Sequence, residues 1–142
     1  MIGMGILQPA VVLAAWTMVM WLWMYATRLP AMRARKVDPD SLALDPAAGL
    51  DSLLPPQVQW KAHNYNHLHE APTVFYAIAI VLAITGQGDG YNAVLGWIYV
   101  GARIVHSLIQ ATVNRVVVRF AVFVFSSLVL IILIARAAAA VF

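Results

Sequence analysis

Residues 91–113 read YNAVLGWIYVGARIVHSLIQATV, an apolar stretch that carries Arg103 and His106 near its middle. A helix needs about 20 apolar residues to cross a bilayer, and this stretch is long enough. An arginine at that depth costs roughly 2.5–3.5 kcal/mol on insertion scales, so such residues usually face a protein interior or a water-filled cavity. The stretch therefore predicts an integral membrane protein with a polar region between its helices.

The composition of the whole chain indicates the same class. Of its 142 residues, 63% are hydrophobic and only 11% are charged, which excludes a soluble globular domain and a disordered chain. Cysteine is absent, so disulfides, thiolate metal sites and cysteine nucleophiles are excluded as well. The net charge of +3 does not indicate nucleic acid, because the basic residues cluster at the membrane flanks, where topology accounts for them.

Four apolar segments predict an all-α membrane protein, a bundle of four transmembrane helices in a single domain that covers residues 1–142. We place the spans at about 7–27, 62–86, 91–113 and 116–140. The Gln87–Gly90 stretch predicts a tight turn between the second and third spans. The connection 27–62 predicts an irregular loop, which either partly covers the helix ends or is a solvated linker.

Lysine and arginine indicate the orientation of the spans. The first connection holds five of them, the third holds Arg115 with Arg119 just beyond it, and the second holds none. The positive-inside rule then predicts that the first and third connections are cytoplasmic and that both termini are on the non-cytoplasmic side. No basic residue precedes Leu7, so the first segment predicts a retained helix rather than a signal peptide.

The polar residues of the third span fall on one helix face. At about 100° per residue they occupy an arc of about 80°. They are Arg103, His106, Gln110 and Asn114. A second polar face precedes the second span, and Pro72 is expected to kink the entry of that span into the membrane. The members of the second face are His63, Asn66, His67 and Glu70.

Two interpretations of these polar faces stay open. Glu70 is the only acidic residue that could lie at membrane depth, and an ion pair with Arg103 would hold the bundle together. Alternatively, Glu70, Arg103, His106 and Arg119 line a cavity that opens to the cytoplasm. Such a cavity suits an anionic small molecule, because arginine binds carboxylates in bidentate fashion.

A metal site is not expected. His63 and His67 have i, i+4 spacing, and Glu70 follows on the same face, a geometry that can bind zinc or iron. The chain has only four histidines, fewer than the clusters of membrane di-iron enzymes. We therefore interpret these histidines as side chains that face water at the membrane surface.

Two stretches resemble the MAPEG family, the membrane-associated proteins in eicosanoid and glutathione metabolism. One is Asn66-His67-Leu68-His69-Glu70-Ala71-Pro72, and the other is Arg103-Ile104-Val105-His106 with Arg119 sixteen residues after Arg103. The residues on either side of Glu70 are similar to bacterial-type members. The resemblance implies a homotrimer of four-helix bundles, here in a bacterial inner membrane. It also implies that glutathione binds between neighbouring subunits and that a lipophilic electrophile or peroxide enters from the lipid.

The resemblance also implies roles for individual residues. Glu70 and Asn66 would hold the amino end of glutathione, Arg103 and His106 would line the site, and Arg119 would stabilise the thiolate. Arg28 is a further candidate for a glutathione carboxylate. Gln110 is assigned to the same site, where several members have a tyrosine. These roles imply a glutathione-dependent transferase or peroxidase that acts on lipophilic electrophiles.

The chain also departs from the family pattern. Asn66 lies four residues before Glu70 rather than three, and Phe120 replaces the hydroxyl residue of one eicosanoid branch, so prostaglandin synthesis is not expected. These departures, together with Gln110, leave an alternative, a non-catalytic membrane subunit that binds lipid or a protein partner.

The orientation can be tested by cysteine labelling, because the chain has no native cysteine. A cysteine at Ser41 should stay protected from a membrane-impermeant thiol reagent in intact cells, because the positive-inside rule places the first connection in the cytoplasm. A cysteine at Gln87 in the second connection should be labelled. Labelling of the Ser41 variant from outside would overturn the proposed orientation.

Overall fold

The computed structural model describes residues 1–44 and 49–142, and the described chain is helical. The helices are α1 (Leu7–Ala34), α2 (Ser41–Leu44), α3 (Leu50–Leu53), α4 (Pro56–His67), α5 (Ala71–Ile84), α6 (Tyr91–Ala111) and α7 (Val116–Val141). By length and composition, α1, α4 with α5, α6 and α7 give four candidate membrane spans. The predicted all-α class and the four apolar spans are therefore confirmed.

The first connection is shorter and more ordered than predicted. Helix α1 continues to Ala34 with Pro30 inside it, because its final residues are mostly leucine, alanine, methionine and arginine, which are good helix formers. The short helices α2 and α3 follow, and Leu54 is buried just before α4 begins. The predicted irregular loop is therefore wrong over residues 27–34 and from Pro56 onward. Asp45 and Pro46, which belong to that prediction, lie outside the described residues.

The second span is interrupted where its polar part meets its apolar part. Helix α4 ends at His67 and α5 begins at Ala71. Pro72 lies in the first turn of α5, where its missing N–H removes no helical hydrogen bond. The Thr73 hydroxyl donates to the carbonyl of Glu70 at 2.6 Å. The break agrees with the kink expected at Pro72, and it divides the span into a polar helix and an apolar one.

The four spans pack in a ring. Helix α6 packs against α7 and α1, and α5 also packs against α1 and α7. Helix α4 packs against α1 and α6. Phe75 of α5 and Tyr99 of α6 stack at the centre with ring centroids 4.6 Å apart. Helix α7 buries only a narrow stripe that includes Leu133, and most of its other apolar side chains are exposed. Such an outer surface suits hydrocarbon rather than water.

The N-terminal segment docks on the turn between α5 and α6. The amide of Gly3 donates to the carbonyl of Ala83 at 2.8 Å, and that of Ile6 donates to the carbonyl of Gly88 at 2.8 Å. The amide of Gly5 donates to the Asp89 carboxylate at 2.7 Å. Two of these amides belong to the segment before α1, and the third, of Ile6, is the N-cap amide, which has no partner within the helix. The predicted turn is therefore also the anchor of the first span.

Gly88 allows this docking because it has no side chain. A Cβ at Gly88 would collide with the backbone carbonyl of Gly3, so we expect Gly88→Ala to cost about 1–3 kcal/mol, the usual cost of overpacking. Thermal unfolding of the detergent-solubilised protein measures this as a lower Tm. Gly101→Ala is the matched control, because a Cβ there meets no atom within 4 Å and alanine favours the helix. Equal Tm values for the two variants would contradict the docking.

Candidate functional site

The polar face of α6 points into the bundle. Arg103 and Gln110 each keep 2% of their surface exposed, His106 keeps 4% and Ser107 keeps none. Tyr99, one turn before Arg103, is also fully buried. The predicted polar stripe is therefore present from Arg103 to Gln110, and it faces protein rather than lipid. Asn114, its fourth predicted member, lies beyond the end of α6 and is not part of it. Tyr99 and Asn92 extend the same stripe, and the arithmetic of about 100° per residue would have found both.

Arg103 is buried with little compensation for its charge. Its Nη2 donates to the carbonyl of His67 at 3.5 Å, and its Nε and Nη1 have no hydrogen-bond partner. The hydroxyls of Tyr99 and Ser107 and Oε1 of Gln110 also lack partners. Buried polar groups normally have a partner, so this face has unused capacity to bind water or a polar ligand.

One of the two interpretations, an ion pair between Glu70 and Arg103, is wrong for a single chain. Glu70 instead contacts His67, with Oε2 at 3.1 Å from Nδ1, and its side chain is 66% exposed. The reason is the direction of the two polar faces, because α4 turns its polar face outward while α6 turns its own inward. His63 and Asn66 are exposed on the same outward face.

His67 joins the two polar faces. Its ring contacts Glu70 on the outside, and its carbonyl accepts from Arg103 on the inside. The same ring lies edge-on to His106 with centroids 6.2 Å apart. His67 is also the last residue of α4, so the helix break allows one residue to reach both sides. The helical period predicts His67 on the α4 face but does not assign it to the site.

Asn64 is the buried asparagine of α4. It is fully buried, and neither Oδ1 nor Nδ2 has a hydrogen-bond partner, whereas the predicted Asn66 is exposed. Asn64 lies about 100° from His63 around the helix, so periodicity assigned it to a different face. The sequence does not predict the burial of Asn64, because that burial results from the packing of α1 and α6 against α4.

Arg119 lies between two hollows near the start of α7. The first has a volume of about 210 Å³ and also touches His67, His106, Val116, Phe120 and Phe123. The second has a volume of about 330 Å³ and also touches Pro56, Gln59, Trp60, His63 and Asn114. The first is lined by apolar chains and two histidines, and the second mainly by polar groups and an indole. Arg119 therefore separates a largely apolar hollow from a more polar one.

Asn114 fixes the Arg119 guanidinium. Oδ1 of Asn114 accepts from Nη1 of Arg119 at 2.5 Å. Asn114 has a positive φ of 48°, a left-handed conformation that asparagine tolerates better than most residues. No carboxylate forms an ion pair with Arg119 within the described chain. The guanidinium is therefore held in position while its charge stays available.

Arg28 is connected to the more polar hollow through one residue. Its Nη2 donates to Oε1 of Gln59 at 3.3 Å, and Gln59 lines that hollow. Arg103 and Gln110 line neither hollow. The structure thus groups the predicted residues into Arg119 with His106 at the hollows, Arg103 with Gln110 in the interior, and Asn66 with Glu70 outside.

The unpaired charge of Arg103 predicts a gain in stability when it is removed. Exchange of buried charged groups for apolar residues of similar volume often stabilises proteins by about 1–4 kcal/mol. We expect Arg103→Met to raise the Tm of the ligand-free protein by about 4 °C or more. Arg28→Met is the control and should not raise it, because Arg28 is only half-buried and its charge stays partly hydrated, while its Nη2 donates to Gln59. A fall in Tm for Arg103→Met would contradict this interpretation and indicate that the charge is compensated, either by Glu70 at longer range or from outside the single chain.

Comparison with known proteins agrees with this arrangement. No curated protein and no solved structure matches the chain significantly. The MAPEG family model matches residues 6–139. This range includes both polar faces and all four candidate spans except the last two residues of the fourth. With its apolar helices, this match identifies a multi-pass integral membrane protein, and the chain belongs to the MAPEG family.

Proposed function

We propose that the protein is a glutathione-dependent transferase or peroxidase that acts on lipophilic electrophiles. The observation that carries this proposal is Arg119, a guanidinium fixed by Asn114 between a largely apolar hollow and a more polar one. A reaction between a hydrophilic thiol and a lipophilic partner needs such a boundary. The two substrates then meet at a positive charge.

The two hollows suit the two substrates. Glutathione carries two carboxylates and an ammonium group, and the hollow that contains Gln59, His63 and Asn114 offers polar partners for them. The hollow that contains Phe120 and Phe123 suits a lipophilic electrophile, and both phenylalanines are also exposed on the outer surface of α7. A substrate dissolved in the bilayer therefore has a route to Arg119.

The chemistry needs the charge of Arg119. A thiol with a pKa near 8.5 is mostly protonated at pH 7, and a nearby guanidinium favours the thiolate. A shift of one pKa unit corresponds to about 1.4 kcal/mol. The thiolate then attacks the electrophilic centre, and the electron pair departs with the leaving group. The protein supplies charge and orientation, and glutathione supplies the nucleophile.

A homotrimer would complete the site. Asn66 and Glu70 lie on the outer surface of the single chain, where a neighbouring subunit can bring them against its own bound glutathione. In this arrangement Glu70 and Asn66 hold the amino end, and Arg28 and His106 act from the other subunit. Arg103 and Gln110, which line neither hollow, support the site from the interior. We further propose a bacterial inner membrane with both termini on its non-cytoplasmic side.

A second candidate function is a non-catalytic membrane subunit that binds lipid or a protein partner. Gln110 favours this alternative, because it is buried in the interior and lines neither hollow beside Arg119. The broad exposed apolar surface of α7 would serve either partner. The two candidates differ in one property, namely whether bound glutathione ionises.

Thiolate absorbance distinguishes them. Wild-type protein mixed with glutathione should show a thiolate ultraviolet signal and turn over a generic aromatic electrophile. Arg119→Ala should lower the signal and turnover by about 10-fold or more while glutathione binding changes less, because the lost charge acts on the chemical step. Arg119→Lys should recover part of the activity, since lysine keeps the charge without the planar fork.

Arg115→Gln is the matched control for this experiment. Arg115 precedes Arg119 by one helical turn and is exposed, and it lines neither hollow. Its replacement should leave the thiolate signal unchanged. Wild-type protein that binds glutathione without a thiolate signal or turnover would refute the catalytic proposal and favour the non-catalytic subunit.

A further inference from the structure

A second arginine site lies at the other end of α7. Arg136 comes seventeen residues after Arg119 on the same helix, which corresponds to about 25 Å along the axis. That separation approaches the thickness of the hydrocarbon core, about 30 Å. Arg136 therefore lies near the membrane face opposite Arg119, and the proposed glutathione chemistry does not use it.

The guanidinium of Arg136 is held by two neighbours from α6. Its Nε donates to Oδ1 of Asn92, and its Cζ lies 5.1 Å from the centroid of the Tyr91 ring. Asn92 is buried, with 3% of its surface exposed. It is itself fixed, because its Nδ2 donates to the carbonyl of Gln87 at 2.6 Å. Arg136 is itself exposed, and its guanidinium is positioned by a buried and oriented amide.

The outer edge of this guanidinium has no protein partner. Nη1 and Nη2 of Arg136 donate to no acceptor, and no carboxylate forms an ion pair with Arg136, in residues 1–44 and 49–142. Asp89, the acidic residue of the nearby turn, accepts from Gly5 instead. A fixed fork with two outward donor groups is the arrangement with which arginine binds phosphate oxygens.

A cavity of about 250 Å³ adjoins this fork. Its lining consists of Gln87, Asn92, Arg136, Ala139 and Ala140. The two alanines leave the space open, and Gln87 and Asn92 add polar groups. The cavity is smaller than the usual 300–1,000 Å³ of drug-sized ligand sites, so it suits a small headgroup. It also lies beside the start of α6, where the helix dipole favours an anion.

We propose that Arg136, Asn92 and Gln87 form a binding site for a phosphate group at the membrane face opposite Arg119. The same chemistry can come from the headgroup of an anionic phospholipid or from free phosphate. Tyr91 beside the guanidinium is typical of side chains at the headgroup level. The site is independent of the proposed glutathione reaction, since it shares no residue with it.

Binding measurements on the full chain in detergent micelles test this site. The probes are phosphatidylglycerol, phosphatidylcholine and inorganic phosphate, and native mass spectrometry with thermal shifts gives the apparent affinity for each. Arg136→Gln should weaken phosphatidylglycerol binding by 10-fold or more. Arg115→Gln removes an exposed arginine from the opposite end of α7 and should leave it within twofold.

A second variant keeps the test decisive if Arg136→Gln does not fold. Ala139→Leu fills the cavity while it leaves Arg136 and Asn92 in place, and it should also weaken binding. Preference for phosphatidylglycerol that depends on Arg136 identifies a lipid headgroup, and Arg136-dependent binding of inorganic phosphate alone identifies free phosphate. Affinities for all three probes that are unchanged in both variants would overturn the proposal.

Discussion

The burial of the Arg103 guanidinium is the constraint on which the rest of the bundle depends. A charge at membrane depth cannot face hydrocarbon without a large cost, so α6 must turn its polar face toward α1, α4 and α7. That requirement determines which faces of the other helices become internal. It also concentrates unpartnered polar atoms from Tyr99, Arg103, Ser107 and Gln110 in the centre. The centre of the bundle therefore holds polar atoms that the packing of the helices does not need.

The break between α4 and α5 connects this interior to the surface. A continuous helix would carry His67, Glu70 and the following apolar residues along one axis. The break instead places His67 where its carbonyl meets Arg103, its ring lies edge-on to His106 and its Nδ1 contacts Glu70. Arg103, His67 and Arg119 are all close enough to His106 to interact with it electrostatically. The break in the second span thus brings together the outward polar face of α4, the inward polar face of α6 and the hollow beside Arg119.

The two ends of the bundle are built differently. At one end, Arg119 is fixed by Asn114 between two hollows, a geometry suited to chemistry between a polar and an apolar substrate. At the other end, the N-terminal segment is bound to the α5–α6 turn, and Arg136 is fixed by Asn92. Both arginines are oriented by an asparagine and lack a carboxylate partner in the described residues. Their different surroundings separate the functions we propose for them.

The sequence by itself determined the membrane class, the four spans and the inward polar face of α6, because span length and helical period are local properties of the chain. Periodicity also found the polar face of α4, but it left open whether this face lines a cavity or faces outward. The partner of Glu70, the burial of Asn64 and the position of Arg119 between two hollows were decided only by the tertiary structure. Each depends on the angle at which separate helices meet, and that angle follows from packing among residues distant in sequence.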